Sequence, residues 1–230
     1  MKQELAVVST LEEAVSTDEP FESYATQYDA WYDSEKGKIL YENEKRCLKR
    51  LINDCNGKVL EVGVGTGRFA LLAQEVFGVD VAESPLRIAK SRGIKVIRAK
   101  AEELPFRENT FSCVMLIVTI CFVDNPRSVL EEARRILKED GKIIIGAVFL
   151  DSEWGKFYEQ KKKEGHIFYK FANFYSFEDF RKIVNSAGLR IKRVLATLKK
   201  SHFDEPEFEE PELITEDVSP YGFVCVELTK

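Results

Sequence analysis

The stretch that decides the fold is Val59-Leu-Glu-Val-Gly-Val-Gly-Thr-Gly-Arg-Phe-Ala70, in which an apolar run meets three alternating glycines. The run predicts a buried strand, and a helix is predicted to follow from about Arg68 to Glu75. Glycines let the backbone turn sharply and let a ligand lie against it without a Cβ clash. Because open α/β sheets bind ligands at the carboxyl ends of their strands, the stretch predicts a ligand-binding turn. A purely structural turn with incidental glycines is the alternative.

The glycine spacing discriminates between nucleotide ligands. A dinucleotide-binding turn has the pattern G-x-G-x-x-G, whereas this turn has G-x-G-x-G and carries Arg68 at the place of the third glycine. Glu61 precedes the turn, and its carboxylate suits a ligand with a cationic amino group and a sulfonium better than a pyrophosphate. Asp80 ends the second predicted strand, where a carboxylate can accept hydrogen bonds from a ribose diol. The spacing therefore argues against a nicotinamide-dependent oxidoreductase.

Strand and helix patterns alternate on both sides of this turn. Repeated βαβ units of this kind predict a doubly wound, mostly parallel sheet with right-handed crossovers, in which the last strand is antiparallel. Gly141 and Gly188 are predicted to end helices. The seven predicted strands cover residues 58–64, 77–81, 95–100, 111–119, 142–149, 190–198 and 222–228. The predicted helices cover residues 36–53, 68–75, 85–92, 127–138 and 177–187.

We expect a single domain over residues 1–230. Residues 1–19 are predicted to be a loosely docked tail, and residues 20–56 a helical cap rich in aromatic side chains. The core spans residues 57–149, and an aromatic insert over 150–175 is expected to cap the substrate. Residues 176–230 contribute a helix and antiparallel strands around an acidic loop, 204–220, whose role the sequence leaves open.

Composition narrows the class of protein. The net charge of −5 argues mildly against a nucleic-acid substrate, because a phosphate-binding surface normally needs excess Lys and Arg. The five cysteines form no C-x-x-C pair, which favours free thiols in a reducing compartment. The amino terminus lacks a signal-peptide pattern, and the longest apolar run, 113–123, is too short to span a bilayer. His166 and His202 have no metal-ligand spacing. We therefore expect a soluble cytoplasmic protein without a metal.

Several motifs occur in the order found in one enzyme family. They are LEVGVGTGRFA, GVDVAESPLRIAKSRG, AEELPFRENTFSCVMLIVTICFVDNPRSVLEEARRILKEDGKIIIG and, more loosely, YDAWY. With these, residues 58–145 resemble the class I S-adenosylmethionine-dependent methyltransferases with a type 11 methyltransferase domain, in the small-molecule group similar to the ubiquinone and menaquinone biosynthesis methyltransferases. The resemblance implies a Rossmann-like fold, S-adenosyl-L-methionine as cofactor and a small-molecule methyl acceptor.

The resemblance also implies roles for individual positions. The methionine part of the cofactor would face Glu61, the backbone of Gly63 and Gly65, and the backbone of Leu116 and Ile117. Gly67 would belong to the same cofactor-binding turn. The ribose and adenine would meet Asp80, Val81, Ala101 and Glu102, and Tyr28 of YDAWY would approach the methionine carboxylate or the acceptor. The chain departs from the family at Lys100, where an Asp is common, and at Cys121 and Phe122, where His residues are common.

The chemistry of methyl transfer leaves the catalytic residues open. An in-line displacement needs a positioned nucleophile and excluded water, and it needs a base only if the acceptor must lose a proton. Tyr28, His166 and Tyr169 are the candidates for contacting the acceptor. The aromatic residues of 152–175 are expected to form a lid together with Tyr24, Tyr28 and Trp31, although packing alone is the alternative for most of them.

Two other functions are compatible with the sequence. A protein that binds S-adenosylmethionine or S-adenosylhomocysteine without catalysis is one alternative. Another is a transferase that uses the same cofactor differently, such as an aminopropyl transferase, although Thr119 to Val123 is mostly apolar where an acidic pair would be needed. The N-P-P-Y and Pro-Cys motifs of nucleic-acid methyltransferases do not occur in the chain.

Overall fold

Helices and strands alternate along most of the chain in this computed structural model, which describes residues 19–201 and 204–230. The strands are β1 (Val59–Val62), β2 (Val76–Asp80), β3 (Lys95–Arg98), β4 (Phe111–Ile117), β5 (Leu137–Ala147), β6 (Arg190–Thr197), β7 (Glu212–Leu213) and β8 (Phe223–Thr229). The helices are α1 (Glu19–Trp31), α2 (Glu35–Ile52), α3 (Glu83–Ser91), α4 (Pro126–Ile136), α5 (Glu153–Lys163) and α6 (Phe177–Ser186). The predictions for residues 1–18 and for His202 lie outside the described residues.

The strands form one sheet in the order β3-β2-β1-β4-β5-β8-β6-β7. Strands β1 to β5 pair in parallel, and β8, β6 and β7 join them through antiparallel pairs. The predicted doubly wound, mostly parallel α/β fold is confirmed. An eighth strand, β7, joins the seven predicted ones, because two residues of the acidic loop pair with the edge strand β6.

The sheet is buried on both faces, which explains the continuous apolar run of β4. Leu60 and Val62 of β1 belong to the cluster that contains Leu130 of α4 and Phe180 of α6. Val59 belongs to the opposite cluster, with Leu48 and Leu51 of α2. Because side chains alternate between the faces of a strand, Glu61 shares the α2 side of the sheet with Val59.

The predicted helix over 68–75 is wrong. Only a single 3-10 turn, Ala70–Leu72, follows the glycine turn, and Ala73 is already extended. The Arg68 carbonyl accepts a hydrogen bond from Tyr41 Oη at 2.7 Å, so α2 occupies an acceptor that a continuing helix would use. The loop then leads directly into β2.

The boundary between α4 and β5 also differs from the prediction. Helix α4 ends at Ile136, and Leu137 is extended and begins β5. Gly141 is therefore inside a strand and does not terminate the helix. A Cβ at Gly141 would lie 2.8 Å from the Leu137 side chain and 3.0 Å from the Ser112 carbonyl oxygen, so close packing explains the glycine there. Gly188 follows α6 with φ +71°, as predicted for a helix end.

The structure also shows the state of the cysteines and the character of the helices. All five cysteines are free thiols, and Cys47, Cys113 and Cys225 are buried. No helix within 19–201 or 204–230 is long and apolar enough to cross a membrane.

Candidate active site

The three glycines of the turn after β1 have different environments. Gly63, Gly65 and Gly67 all have positive φ, at +71°, +51° and +85°. A Cβ on Gly63 would lie 2.4 Å from the Thr119 side chain, and one on Gly67 would lie 2.2 Å from Ile94. A Cβ on Gly65 would meet nothing within 4 Å. Gly67 is thus needed for packing, whereas Gly65 leaves open space for a ligand.

Asp80 ties this turn to the start of α3. Its Oδ2 accepts a hydrogen bond from the Gly65 amide at 2.8 Å, and its Oδ1 accepts one from the Ala82 amide at 3.0 Å. Ser84, in the first turn of α3, donates its amide and hydroxyl to Glu22 of α1. The Asp80 carboxylate therefore holds the glycine turn in its shape.

A cleft of about 250 Å³ opens over this turn, at the carboxyl ends of β1, β2 and β4. We call it the glycine-turn cleft. The predicted site residues that line it are Tyr28, Gly63, Gly65, Asp80, Val81, Ala101, Glu102 and Ile117. It is also lined by residues for which no cofactor role was predicted, namely Phe21, Thr66, Lys100, Val118, Thr119 and Phe122. The cleft thus brings together most of the predicted cofactor site.

Three predicted site residues do not line the cleft. Leu116 is buried in the core between the sheet and α4. Gly67 packs against Ile94, as described above. Glu61 is only 1% exposed and lies beneath the turn, on the α2 side of β1.

A second space, the aromatic cavity, adjoins the first and has a volume of about 520 Å³. Its aromatic lining comprises Phe21, Tyr28, Trp31, Tyr32, Phe122, Phe149, Phe157, Tyr158, Phe168, Tyr169, Phe174 and Tyr175. Phe21, Tyr28, Val118 and Phe122 border both spaces. The two cavities therefore share one wall.

Aromatic contacts join the amino-terminal helix to the insert after β5. The Phe21 ring lies 5.1 Å from that of Phe122 and 5.3 Å from that of Phe168, and Tyr28 lies 5.4 Å from Phe168. Tyr24 meets Phe168 edge-on at 6.5 Å. Trp154, by contrast, is buried and donates Nε1 to the Ser201 carbonyl, so it serves packing. Two segments distant in sequence thus enclose one space.

Val118 stands at the shared wall in an unusual conformation. Its φ is +54°, a region that a β-branched residue seldom adopts. The Val118 amide donates to the Gly146 carbonyl at 2.7 Å, and Thr119 Oγ1 donates to the Val62 carbonyl at 3.0 Å. These bonds hold the end of β4 in place, and such a conformation costs on the order of 1–3 kcal/mol. The contact with the cleft therefore comes from Ile117 to Thr119, beyond Leu116.

Comparison with known proteins assigns this architecture to a family. Residues 60–145 match the family model described as a methyltransferase domain. A Thermotoga maritima structure, described as a SAM-dependent methyltransferase and possible histamine N-methyltransferase, is similar with a TM-score of 0.84 and 35% identity, covering 93% of this chain and 99% of that one. The chain belongs to the S-adenosylmethionine-dependent methyltransferases.

Relatives in sequence agree with this family. Uncharacterized protein MJ1123 of Methanocaldococcus jannaschii is 39% identical over 210 residues, which cover 91% of this chain and 98% of that protein. The ubiquinone/menaquinone biosynthesis C-methyltransferase UbiE of Haemophilus ducreyi is 29% identical over 145 residues, which cover 54% of each chain. The predicted resemblance is confirmed, and S-adenosyl-L-methionine is the cofactor of the family.

The buried carboxyl of Glu61 bears on whether the residues of this methyltransferase fit that cofactor. Its Oε2 has no hydrogen-bond partner among the residues described, although the side chain is buried. Burial, and then the negative charge of Asp80, raise the pKa of Glu61 well above its ordinary value. A buried carboxyl without a partner is costly, and a cationic amino group would satisfy it. The open space at Gly65 and this carboxyl both fit the methionine end of the cofactor.

A charge network fastens α1 of the methyltransferase to the glycine turn. Asp29, in YDAWY, accepts hydrogen bonds from Thr66 Oγ1, from the Arg68 guanidinium and from the Arg92 guanidinium, at 2.5–2.9 Å. Burial raises the pKa of Asp29, but the bonds from Arg92, Arg68 and Thr66 outweigh it and hold that pKa well below its usual range. Sequence reasoning missed this role of Asp29, for which Arg68 in place of the third glycine was the available signal.

The three candidate catalytic residues all line the aromatic cavity. Tyr28 Oη lies 3.1 Å from Tyr32 Oη, and burial raises the pKa of Tyr28 to about 12. His166 stacks on Tyr169 with ring centroids 4.6 Å apart. Burial, together with the charge of Lys161, lowers the pKa of His166, and burial raises that of Tyr169. Both tyrosines and His166 are therefore uncharged near neutral pH.

Glu44 is a cavity residue that the sequence reasoning did not identify. Its half-buried side chain lines the aromatic cavity, and burial raises its pKa to about 8. It lies on α2 among apolar residues that face the sheet, such as Leu40 and Leu48. An acidic residue on the apolar face of a helix was the signal that would have found it.

Proposed function

We propose that the protein transfers the methyl group of S-adenosyl-L-methionine to a small-molecule acceptor by in-line displacement. The cofactor occupies the glycine-turn cleft and the acceptor occupies the aromatic cavity. The observation that carries this proposal is the shared wall of Phe21, Tyr28, Val118 and Phe122, since reacting atoms must meet across about 3–3.5 Å.

Residues that line the cleft, together with Glu61 buried beneath the turn, support a particular orientation of the cofactor. Glu61 accepts its amino group, and Gly63 and Gly65 let its methionine part lie against the backbone. Asp80, which lines the cleft at the end of β2, accepts the ribose hydroxyls. The remaining contacts that we propose are Val81, Ala101 and Glu102 for the adenine, and Tyr28 and the backbone of Ile117 for the methionine end.

The reaction needs positioning more than acid–base chemistry. When bound, the cofactor would supply a methyl carbon activated by a positively charged sulfur, so the residues of this chain would need only to hold a lone pair of the acceptor in line with that carbon–sulfur bond. Val118 and Phe122 fix the approach, and the rings of Phe21 and Phe168 exclude water from it. No candidate base is required for an acceptor that presents a lone pair.

The size and apolar lining of the aromatic cavity support a small molecule as the acceptor. A cavity of about 520 Å³ is in the range that holds metabolites, and its lining does not offer the basic groove that a nucleic acid would need. The structurally similar Thermotoga maritima protein is described as a possible histamine N-methyltransferase, which is consistent with this class. A protein that binds the cofactor without catalysis would have no need of the second cavity.

Calorimetry and turnover test the proposal. The protein should bind S-adenosylmethionine and S-adenosylhomocysteine and bind NAD far more weakly. Incubation with S-adenosylmethionine and a panel of small metabolites should release S-adenosylhomocysteine with at least one of them, whereas tRNA and duplex DNA should yield none. Tighter binding of NAD would contradict the cofactor site, and methylation of nucleic acid alone would contradict the acceptor class.

A further inference from the structure

Glu44 interrupts an otherwise apolar stripe of α2. Leu40, Cys47 and Leu51 are buried against the sheet, and Glu44 lies on the same stripe, four residues after Leu40 and three before Cys47. Helix α2 packs against β5, β6 and β8 on this side. The carboxylate is thus directed to the interior of the protein, where it lines the aromatic cavity.

No charged group in the described part of the chain forms an ion pair with Glu44. Within residues 19–201 and 204–230, Glu44 makes no hydrogen bond or ion pair, and burial is the only cause that shifts its pKa. The neighbouring Lys45 pairs with Glu42 at 2.6 Å. Lys161, which also lines the cavity, pairs with Glu164 at 2.9 Å and lies over the Phe157 ring.

The other titratable groups around Glu44 are uncharged at neutral pH. Tyr28, Tyr32, Tyr158 and Tyr169 feel its charge, and burial raises the pKa of each of them. Burial also raises the pKa of the thiols of Cys121, in the cavity wall, and of Cys225, on β8 behind α2. His166 has a lowered pKa. Glu44 is therefore the acidic group that faces the cavity contents.

A carboxylate among aromatic rings is a site for a cation. An ionised carboxylate inside a protein is costly unless a positive charge pairs with it. The faces of Trp, Tyr and Phe rings attract the same positive charge through their quadrupoles. With a neutral or anionic ligand the Glu44 carboxyl would keep its proton, whereas a cation beside it would stabilise the ionised form and pair with it.

We propose that Glu44 binds the protonated amino group of the methyl acceptor, so that the acceptor is a small amine with an apolar or aromatic body. This inference rests on the proposed function, in which the aromatic cavity holds the acceptor. The amino group pairs with Glu44, and the body of the molecule packs among rings such as Trp31 and Phe168. Its reacting atom is then at the wall shared with the glycine-turn cleft.

Direct binding tests this assignment without knowledge of the natural acceptor. The protein loaded with S-adenosylhomocysteine is titrated with 2-phenylethylamine, histamine and tryptamine, and with 2-phenylethanol as a neutral counterpart. Wild-type protein should bind at least one amine, and should bind 2-phenylethylamine at least tenfold more tightly than 2-phenylethanol. Glu44→Gln should weaken amine binding by roughly 10- to 100-fold, the loss of one charge-assisted bond, and should leave alcohol binding unchanged.

Two variants control for charge and folding. Glu42→Gln, on the same helix and paired with Lys45, should bind amines as the wild type does. Glu44→Asp keeps the charge and should retain the preference for amine over alcohol. The melting temperature of each variant, and its affinity for S-adenosylhomocysteine, separate a local effect from loss of the fold.

The outcomes distinguish this inference from the proposed function. Failure to bind S-adenosylhomocysteine, or to transfer methyl groups to any small molecule, would overturn the proposed function. Binding of S-adenosylhomocysteine with no affinity for any of the amines would overturn the role of Glu44 alone. Equal affinity of wild type and Glu44→Gln for the amines would do the same.

Discussion

Asp29 of α1 and Arg68 of the glycine turn form a two-pronged ion pair, with Arg68 Nε and Nη2 lying 2.8 and 2.9 Å from the two carboxylate oxygens. Paired donors and acceptors of this kind fix direction as well as distance. The side chains are only 15% and 12% exposed, so solvent screens the pair weakly. The position of the amino-terminal helix over the cleft therefore depends on this contact.

Replacing Asp29 with Asn should loosen α1. The substitution removes the carboxylate that pairs with Arg92 and leaves Arg68 with only the exposed Asp33, so we expect the free energy of unfolding to fall by about 1.5–3 kcal/mol. Affinity for S-adenosylmethionine should fall as well, because α1 walls the cleft. Urea denaturation and calorimetry measure the two effects. Asp33→Asn is the matched control, since Asp33 is 62% exposed and should be nearly neutral in both assays.

Gly65→Ala should separate ligand contact from backbone strain. Gly65 and Gly93 both have positive φ, and a Cβ on either meets nothing within 4 Å. Alanine at either position should therefore lower the free energy of unfolding by a similar amount, roughly 1–2 kcal/mol. Only Gly65→Ala should also reduce cofactor affinity, because its methyl group enters the cleft. Equal cofactor affinities for the two variants would remove Gly65 from the binding surface.

Asp80→Asn should weaken binding of S-adenosylmethionine by roughly 10- to 100-fold, because charge-assisted bonds to the ribose are lost. The fold should remain, since the amide oxygen can still accept a hydrogen bond from the Gly65 amide. The exposed Asp140 at the opposite end of the sheet provides the control Asp140→Asn. Calorimetry that finds the same affinity in Asp80→Asn as in wild type would mean that the ribose is held elsewhere.

Glu44 should make the stability of the ligand-free protein depend on pH. Burial raises its pKa from 4.5 to about 8, so the folded state retains a proton that the unfolded state releases. The free energy of unfolding should be highest below about pH 4.5 and should decline as the pH rises to about 8. The decline is roughly 1.4 kcal/mol for each unit by which the folded pKa exceeds the unfolded one. Glu44→Gln should lack this decline, so its advantage over wild type in urea denaturation should grow as the pH rises through this range. A difference between the two proteins that stays constant across the range would refute the assignment.

The sequence predicted the parts of the site that depend on short, continuous motifs. Gly63 and Gly65 of the turn, Asp80 at the end of β2 and the Ala101–Glu102 loop line the cleft, because the parallel sheet brings successive strand ends to one edge. Gly188 as a helix end follows from the need for positive φ, which is a property of one residue.

The parts that were missed depend on contacts between distant segments. Asp29 became an anchor only because Arg68 and Arg92 approach it from the turn and from the end of α3. The helix predicted over 68–75 did not form, since Tyr41 of α2 binds the Arg68 carbonyl. Arg68 in place of the third glycine is a local signal of a charged contact, but it does not show which distant segment supplies the partner. Glu44 is different, because the sequence pattern alone places it on the apolar stripe of α2.

Helix α1 is a wall of both cavities, through Phe21 and Tyr28. A displacement of α1 away from the sheet would therefore open both spaces together, so release of S-adenosylhomocysteine and exchange of the acceptor would be coupled through one helix.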